Sequence, residues 1–211
     1  MPKLVDHGAQ RRQIALSACR ALARKGVDRT TMVDIAREAA VTTGMITYYF
    51  RSKSDIIAAA LRLVFERTEA RIEALIQDGE DRLYSILKES LPIDATRRDE
   101  CSVWVSFWGK VSTDPKLAAV NRAVHDDAVD LYARAIRAAW PESRLWSRDT
   151  FDNAHALTLN FLNGLTASAV TSPRAWPVER QLDALALQLG LIRRWAKQQT
   201  NRGRRSGYSP Q

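Results

Sequence analysis

The chain has 211 residues, 45% hydrophobic and 27% charged, with nine Gly and seven Pro; this is the make-up of a packed, helix-rich protein and excludes a low-complexity or collagen-like chain. Its net charge of +8 is uneven, with ten basic against five acidic residues in 1–60, sixteen against nineteen in 61–192, and six against none in 193–211. Positive ends suit a polyanion such as DNA, or serve solubility alone.

No stretch reaches the roughly eighteen apolar residues of a membrane span, and the start lacks the apolar run of a secretory leader. The chain is therefore expected to be cytoplasmic and to contact no membrane. Cys19 and Cys101 form no CxxC pair, which fits buried reduced thiols and not a zinc knuckle.

In chain order, a first helix is predicted from about Ala9 to Lys25, with Ile14, Ala18 and Leu22 on one stripe and Gly26 closing it. Thr31 opens a second helix in a capping-box pattern with Asp34. After a break at Ala40-Val41, Thr42 or Thr43 opens a third helix through Tyr48. Ser52 opens a fourth, running to about Ile76 and roughly 37 Å long. A short helix over Glu80–Ser90 follows, then one over Asp99–Ser112 carrying Cys101, Trp104, Trp108 and Val111 on a stripe. Asp114-Pro115 starts a long helix to about Trp140. The last two read Arg148–Thr171 and Pro177–Lys197, about nine helices in all and no strand.

In the last helix Val178, Leu182, Leu185, Leu189 and Ile192 repeat at heptad-like spacings. Leu187 and Leu191 form a second stripe beside them. One stripe can face the chain's own core and the other a second copy. The expected seam comprises Leu157, Phe161 and Leu165 with Leu182, Leu185, Leu189 and Ile192, closing a four-helix bundle between two chains. Residues 199–211 lack periodicity and are expected to be a basic disordered tail, which adds nonspecific DNA affinity or merely solubilises the end.

The strongest functional signal lies in residues 27–57. Two short helices joined by a three-to-four-residue turn, flanked by helices that can pack them, make a helix-turn-helix. The second of the pair would enter the major groove with Thr42, Thr43, Met45, Thr47 and Tyr48 outward. Hydroxyls there bond phosphates or base edges, and apolar atoms meet thymine methyls. Arg29, Arg37, Arg51 and Lys53 are better placed for phosphates.

The run from Thr30 to Ile57, with its alanine-rich helix, Val41-Thr-Thr-Gly44, Tyr48-Tyr-Phe50 and Ser52-Lys53, resembles the DNA-binding head of the TetR family of bacterial repressors. The resemblance implies that Thr31, Thr43, Tyr48, Tyr49 and Lys53 contact DNA, that Ile35 and Phe50 pack the head, and that Gly44 admits a close approach. Ala40 departs from the family's usual Gly in the turn. If its φ is positive, Ala there costs roughly 1 kcal/mol.

Met1-Pro-Lys-Leu4, Arg11-Arg12, Val103-Trp-Val-Ser-Phe-Trp108 and Asn163-Gly-Leu165 are similar to the BetI-like branch of that family, with Asn163 in place of the usual acid. The branch implies, by analogy only, a cationic effector such as choline. Trp104, Phe107 and Trp108 are the candidate pocket, since two indoles can cage a quaternary ammonium; plain core packing is the competing reading.

The resulting expectation is an all-α chain with three parts. Residues 1–55 form the DNA-binding head, 56–198 a regulatory and dimerisation body, and 199–211 the tail. Its partners would be a pseudo-palindromic double-stranded operator, a second copy of itself and a small-molecule effector. A dimeric regulator without an effector, an activator for instance, is the alternative. No catalytic or metal-binding motif and no phosphate loop is present, so neither enzymatic activity nor a cofactor is expected. His125-Asp126-Asp127 reads as a solvated helix face, because adjacent helical residues diverge, and His7 and His155 read as isolated.

Overall fold

A computed structural model describes residues 6–205, with side chains through Arg202. Among these residues the chain forms α1 (His7–Arg29), α2 (Met32–Ala39), α3 (Thr43–Tyr49), α4 (Lys53–Gln77), α5 (Leu83–Leu87), α6 (Ala95–Val111), α7 (Pro115–Ala139), α8 (Arg148–Thr171) and α9 (Val178–Arg205), with 3-10 turns at Lys88–Ser90 and Pro141–Leu145 and no strand.

Local chemistry sets most boundaries. Asp6 caps α1, its carboxylate accepting from the amides of Gly8 and Ala9. Gly26, at φ +74°, interrupts α1 where the sequence predicts its end, and a last turn follows it to Arg29. Thr31 and Asp34 form the reciprocal capping box of α2. Thr42 caps α3 through the Met45 amide.

Three elements differ from expectation. Glu80 accepts from both the amide and the guanidinium of Arg82, holding that stretch extended and delaying α5 to Leu83. Asp94 accepts from the Arg97 amide and starts α6 four residues earlier than the apolar stripe suggested. Finally, α9 runs on to Arg205, which corrects the disordered-tail expectation for residues 199–205. Lys197, Gln198 and Gln199 are good helix formers, and basic residues favour the negative end of a helix. The rest of that expected tail, residues 206–211, lies outside the described residues.

The chain divides into two compact units, one joining residues up to Thr68 to Asp94–Asp126, the other joining Glu69–Ile93 to the residues from Asp127 onward. These units differ from the expected division into 1–55 and 56–198 by joining Asp94–Asp126 to the first helices. In the first unit α6 lies along α1, and Val103 and Phe107 share a core with Ile14, Leu22, Ile56 and Leu61. Periodicity marks a face as buried and leaves open which helix covers it.

In the second unit α8 packs on α9. Leu159, Leu162, Leu165 and Ala169 are buried on one helix, and Leu185, Leu189, Ile192 and Ala196 on the other. Polar ties accompany them, with Arg193 on Glu142 at 2.6 Å, which lowers the Glu142 pKa, and the Arg137 guanidinium 4.1 Å over the Phe151 ring.

That packing corrects the expected dimer seam. Leu165, Leu185, Leu189 and Ile192 face the chain's own core. Of the seven residues only Leu157 is exposed, while Phe161 and Leu182 are half-buried. The outward apolar face is instead Leu157 with Leu187 and Leu191, 46%, 62% and 47% exposed. The 4-3-4-3 spacing selected the inner stripe, and the neighbouring stripe carries the accessible surface.

Ala40 adopts φ 53°, ψ 41° at the C-cap of α2, the left-handed conformation in which Cβ crowds the following carbonyl. Ala40→Gly is expected to raise the stability of the first unit by about 1 kcal/mol, read as a higher urea midpoint at unchanged m-value. An unchanged or lower midpoint would show that the turn carries no such strain.

Candidate nucleic-acid interface

The geometry of the helix-turn-helix follows from two anchors. Ile46 on α3 and Phe50 at its C-cap are buried at 0% and 2% exposure and fix that helix against the core beneath it. The opposite side is then forced outward. Thr42, Thr43, Gly44, Met45, Thr47 and Tyr48 are exposed, whereas Tyr49 is half-buried at the rim. Tyr48, 71% exposed, meets Tyr49 edge to face at 5.0 Å. The Thr47 hydroxyl donates to the Gly44 carbonyl at 3.0 Å. A Cβ on Gly44 would meet only the Thr42 hydroxyl at 3.8 Å, so its smallness is not demanded from within the chain.

Thr31 and Lys53 are positioned by the chain itself. The Thr31 hydroxyl donates to Asp34 at 2.9 Å and caps α2, so its first task is structural. Lys53 is half-buried, and its ammonium donates to the Asp28 carbonyl at 3.2 Å. A neutral partner leaves its positive charge uncancelled beside the start of α4.

Many basic groups of this region are already matched. Arg20 and Arg24 both pair with Glu38 and lower its pKa. Lys25 holds Asp34 at 2.6 Å, and with the Thr31 hydrogen bonds it keeps that carboxyl well below the usual range. Arg11 lies 4.9 Å over the Phe50 ring, and Arg29 donates to the Lys25 carbonyl at 3.2 Å. Among the described residues Arg11, Arg29, Arg37 and Arg51 are exposed and, with Lys53, are charges that a phosphate could reach.

Residues that sequence reasoning missed join this face. Val33, 54% exposed on α2, offers methyls. His7 and Gln10 on the first turns of α1 reach α3, the Gln10 amide lying 3.9 Å from the Met45 sulfur and His7 beside both tyrosines. No local spacing links residues thirty-five or more apart, so only the packing of α1 reveals them.

The corner between α6 and α7 is tied to the same unit. Lys110 reaches Asp28 at 2.5 Å, and Lys116 pairs with Asp55. The Ser54 hydroxyl donates to Asp114 at 2.7 Å and, with the Leu117 amide, lowers the Asp114 pKa. Asp114, expected only as a helix cap, is therefore also a fastener to the start of α4.

The candidate effector aromatics separate. Phe107 has no exposed surface, and Trp104 packs edge to face on it at 6.1 Å. Trp104 and Trp108 are half-buried against the same core. An open cleft of about 350 Å³ in this unit is lined instead by Ala9, Arg12, Gln13, Leu16, Leu63 and Arg67. Its arginines pair with Glu66 at 2.9 Å and Glu100 at 3.1 Å, so its charged groups are already matched. Burial pushes the Cys19 thiol up to about 12, an unreactive state. His125, Asp126 and Asp127 lie on α7, all three exposed on its surface.

Comparison with known proteins agrees with this geometry. Residues 14–64 match the bacterial regulatory proteins of the tetR family, and residues 79–192 match the C-terminal part of BetI-type transcriptional repressors. The regulator PksA of Bacillus subtilis is 31% identical over 51% of this chain and 54% of its own length. The regulator BetI of Escherichia coli is 30% identical over 56% of this chain and 63% of its own, so the matched part spans between half and two thirds of these relatives. The solved structure of a transcriptional regulator from Saccharomonospora viridis in complex with choline superposes with a TM-score of 0.73 at 26% identity, covering 85% of this chain and 94% of that one. The chain belongs to the TetR family of DNA-binding transcriptional regulators, in its BetI-like branch.

Proposed function

We propose that the chain is a homodimeric repressor that holds a pseudo-palindromic operator and is released from it by a small-molecule effector. The observation that carries this reading is the outward face of α3, presented by the buried pair Ile46 and Phe50. Two such helices, one from each copy, would enter successive major grooves about 34 Å apart, with Thr42, Thr43, Gly44, Met45, Thr47 and Tyr48 at the bases and Thr31, Tyr49 and Lys53 at the phosphates. The second copy would dock on the outward apolar face of α8 and α9. Trp104 and Trp108 remain the candidate effector contacts, and the choline bound to the Saccharomonospora viridis protein supports a quaternary ammonium as the first compound to try. An effector shifts occupancy only by its differential affinity for the two states. The corner held by Lys110, Lys116 and Asp114 supports α6 as the element through which that difference reaches the head.

A regulator without an effector is the second reading. It is favoured by one observation, the complete burial of Phe107 among core side chains.

The test is selection of duplexes from a random pool by the purified chain. A palindromic consensus is expected, bound with strong salt dependence. Lys53→Ala should weaken binding to every duplex alike and flatten the salt slope by about 1 for each phosphate that Lys53 meets. An unchanged slope would remove Lys53 from the interface. Choline added at millimolar concentration should release the selected duplex; no release up to that range would favour the second reading.

A further inference from the structure

The aromatic contacts of α3 extend beyond the helix-turn-helix to the first turn of α1. The His7 imidazole lies 6.0 Å from the Tyr48 ring and 5.8 Å from the Tyr49 ring, centroid to centroid, and its Nδ1 is 3.4 Å from the Tyr49 hydroxyl. With the Tyr48–Tyr49 edge contact, three rings close a triangle at the exposed end of α3. We propose that His7 is a phosphate-contacting residue of the operator interface, and that its protonation strengthens binding. The proposal rests on the DNA-binding reading above and adds to it a contact and a proton.

The triangle determines what each ring atom can do. Nδ1 faces the Tyr49 hydroxyl, so Nε2 is the nitrogen left to point away from that contact. A neutral imidazole has one N–H. On Nδ1 it goes to the hydroxyl and leaves Nε2 a lone pair that a phosphate oxygen repels; on Nε2 it can reach a phosphate as a neutral donor while Nδ1 accepts from the Tyr49 hydroxyl. The imidazolium has both N–H groups, so it can hold Tyr49 and donate a charge-assisted hydrogen bond to a phosphate together. Of the two protonation states, only the imidazolium brings a charge to the phosphate.

Among the described residues the titratable and charged neighbours are few. From α3 they are Tyr48 and Tyr49. On its own helix they are Asp6, whose carboxylate is engaged by the Gly8 and Ala9 amides, and Arg11, which stacks over Phe50. Because DNA favours the charged imidazole, binding takes up a proton, and affinity rises as pH falls.

The experiment measures the salt dependence of binding to the selected duplex at pH 6 and pH 8, for the unchanged chain, His7→Gln and His125→Gln. The unchanged chain should bind several-fold tighter at pH 6, with a salt slope steeper by about 1 for each His7 that meets a phosphate. His7→Gln should give the same slope at both pH values, equal to that of the unchanged chain at pH 8. His125→Gln, on an exposed face of α7, should retain the full pH effect. Equal affinities and slopes at both pH values would overturn the role of His7 while leaving the DNA-binding reading intact. Survival of the pH effect in His7→Gln would overturn that role equally. Absence of salt-sensitive duplex binding at either pH would overturn the DNA-binding reading itself.

Discussion

A charge at Leu187 is expected to separate the two copies and leave each chain folded, whereas the same charge two residues earlier is expected to unfold it. Leu187 is 62% exposed on α9 and Leu185 has no exposed surface. Leu185→Arg must bury an unpaired guanidinium in the α8–α9 core, a change that costs upwards of about 4 kcal/mol. Leu187→Arg costs the isolated chain almost nothing, because the side chain already meets solvent. Its effect falls on association, where it places like charges across a symmetric apolar contact. Sedimentation of Leu187→Arg should give the monomer mass with an unchanged helical circular dichroism signal. Duplex affinity should fall by about a hundredfold or more as the two heads lose their linkage. Retention of the dimer mass would move the interface away from Leu157, Leu187 and Leu191. Small residues beside them also permit a close approach: Gly164 is exposed on α8, and nothing lies within 4 Å of a Cβ built there.

This contrast illustrates which features the sequence carries. Capping by Thr31, Thr42 and Asp6, the break at Gly26 and the left-handed turn at Ala40 are set by residues within a few positions of one another. Thr31, Gly26 and Thr42, the last as one of two neighbouring candidates, were legible without tertiary information, whereas Ala40 was marked only by its departure from the family resemblance. The outward face of α3 was legible for a related reason: a short helix with two large apolar anchors can bury only one side. What escaped depends on which surfaces meet. The heptad-like spacing of Leu182, Leu185, Leu189 and Ile192 is equally compatible with an internal seam and an external one, and only the covering by α8 distinguishes them. His7 looked isolated because its partners lie forty-one and forty-two residues away, brought to it by the angle of α1. Asp114 looked like a cap because its second partner, Ser54, lies sixty residues back. Charge counting failed in the same way. The net excess in 1–60 does not say which cations carry it: Arg20, Arg24 and Lys25 are held by Glu38 and Asp34, so the accessible positive charge lies on other residues.

Phe107→Ala separates the two readings of the aromatic stripe and is expected to have the largest effect on stability of any truncation in the first unit. The ring is fully buried in the core that α1 and α4 share and carries the edge contact of Trp104. Removing a buried Phe side chain lowers stability by about 3–5 kcal/mol, part lost transfer energy and part the cavity left behind. That is a large share of the roughly 5–15 kcal/mol of a typical domain. Denaturant unfolding should show a large drop in midpoint, and duplex binding should weaken with it, because the ring supports the helices that hold α3. Trp104→Ala, at a half-buried position, should cost less than half as much. If Trp104 and Trp108 meet a quaternary ammonium, Trp104→Ala should also lower choline affinity by about five- to thirtyfold, the worth of a cation–π contact. A Phe107→Ala chain with an unchanged midpoint but altered choline affinity would make Phe107 a wall of a ligand cavity. Such a result would return all three aromatics to the effector site and leave the core of this unit to Val103 and the residues of α1 and α4.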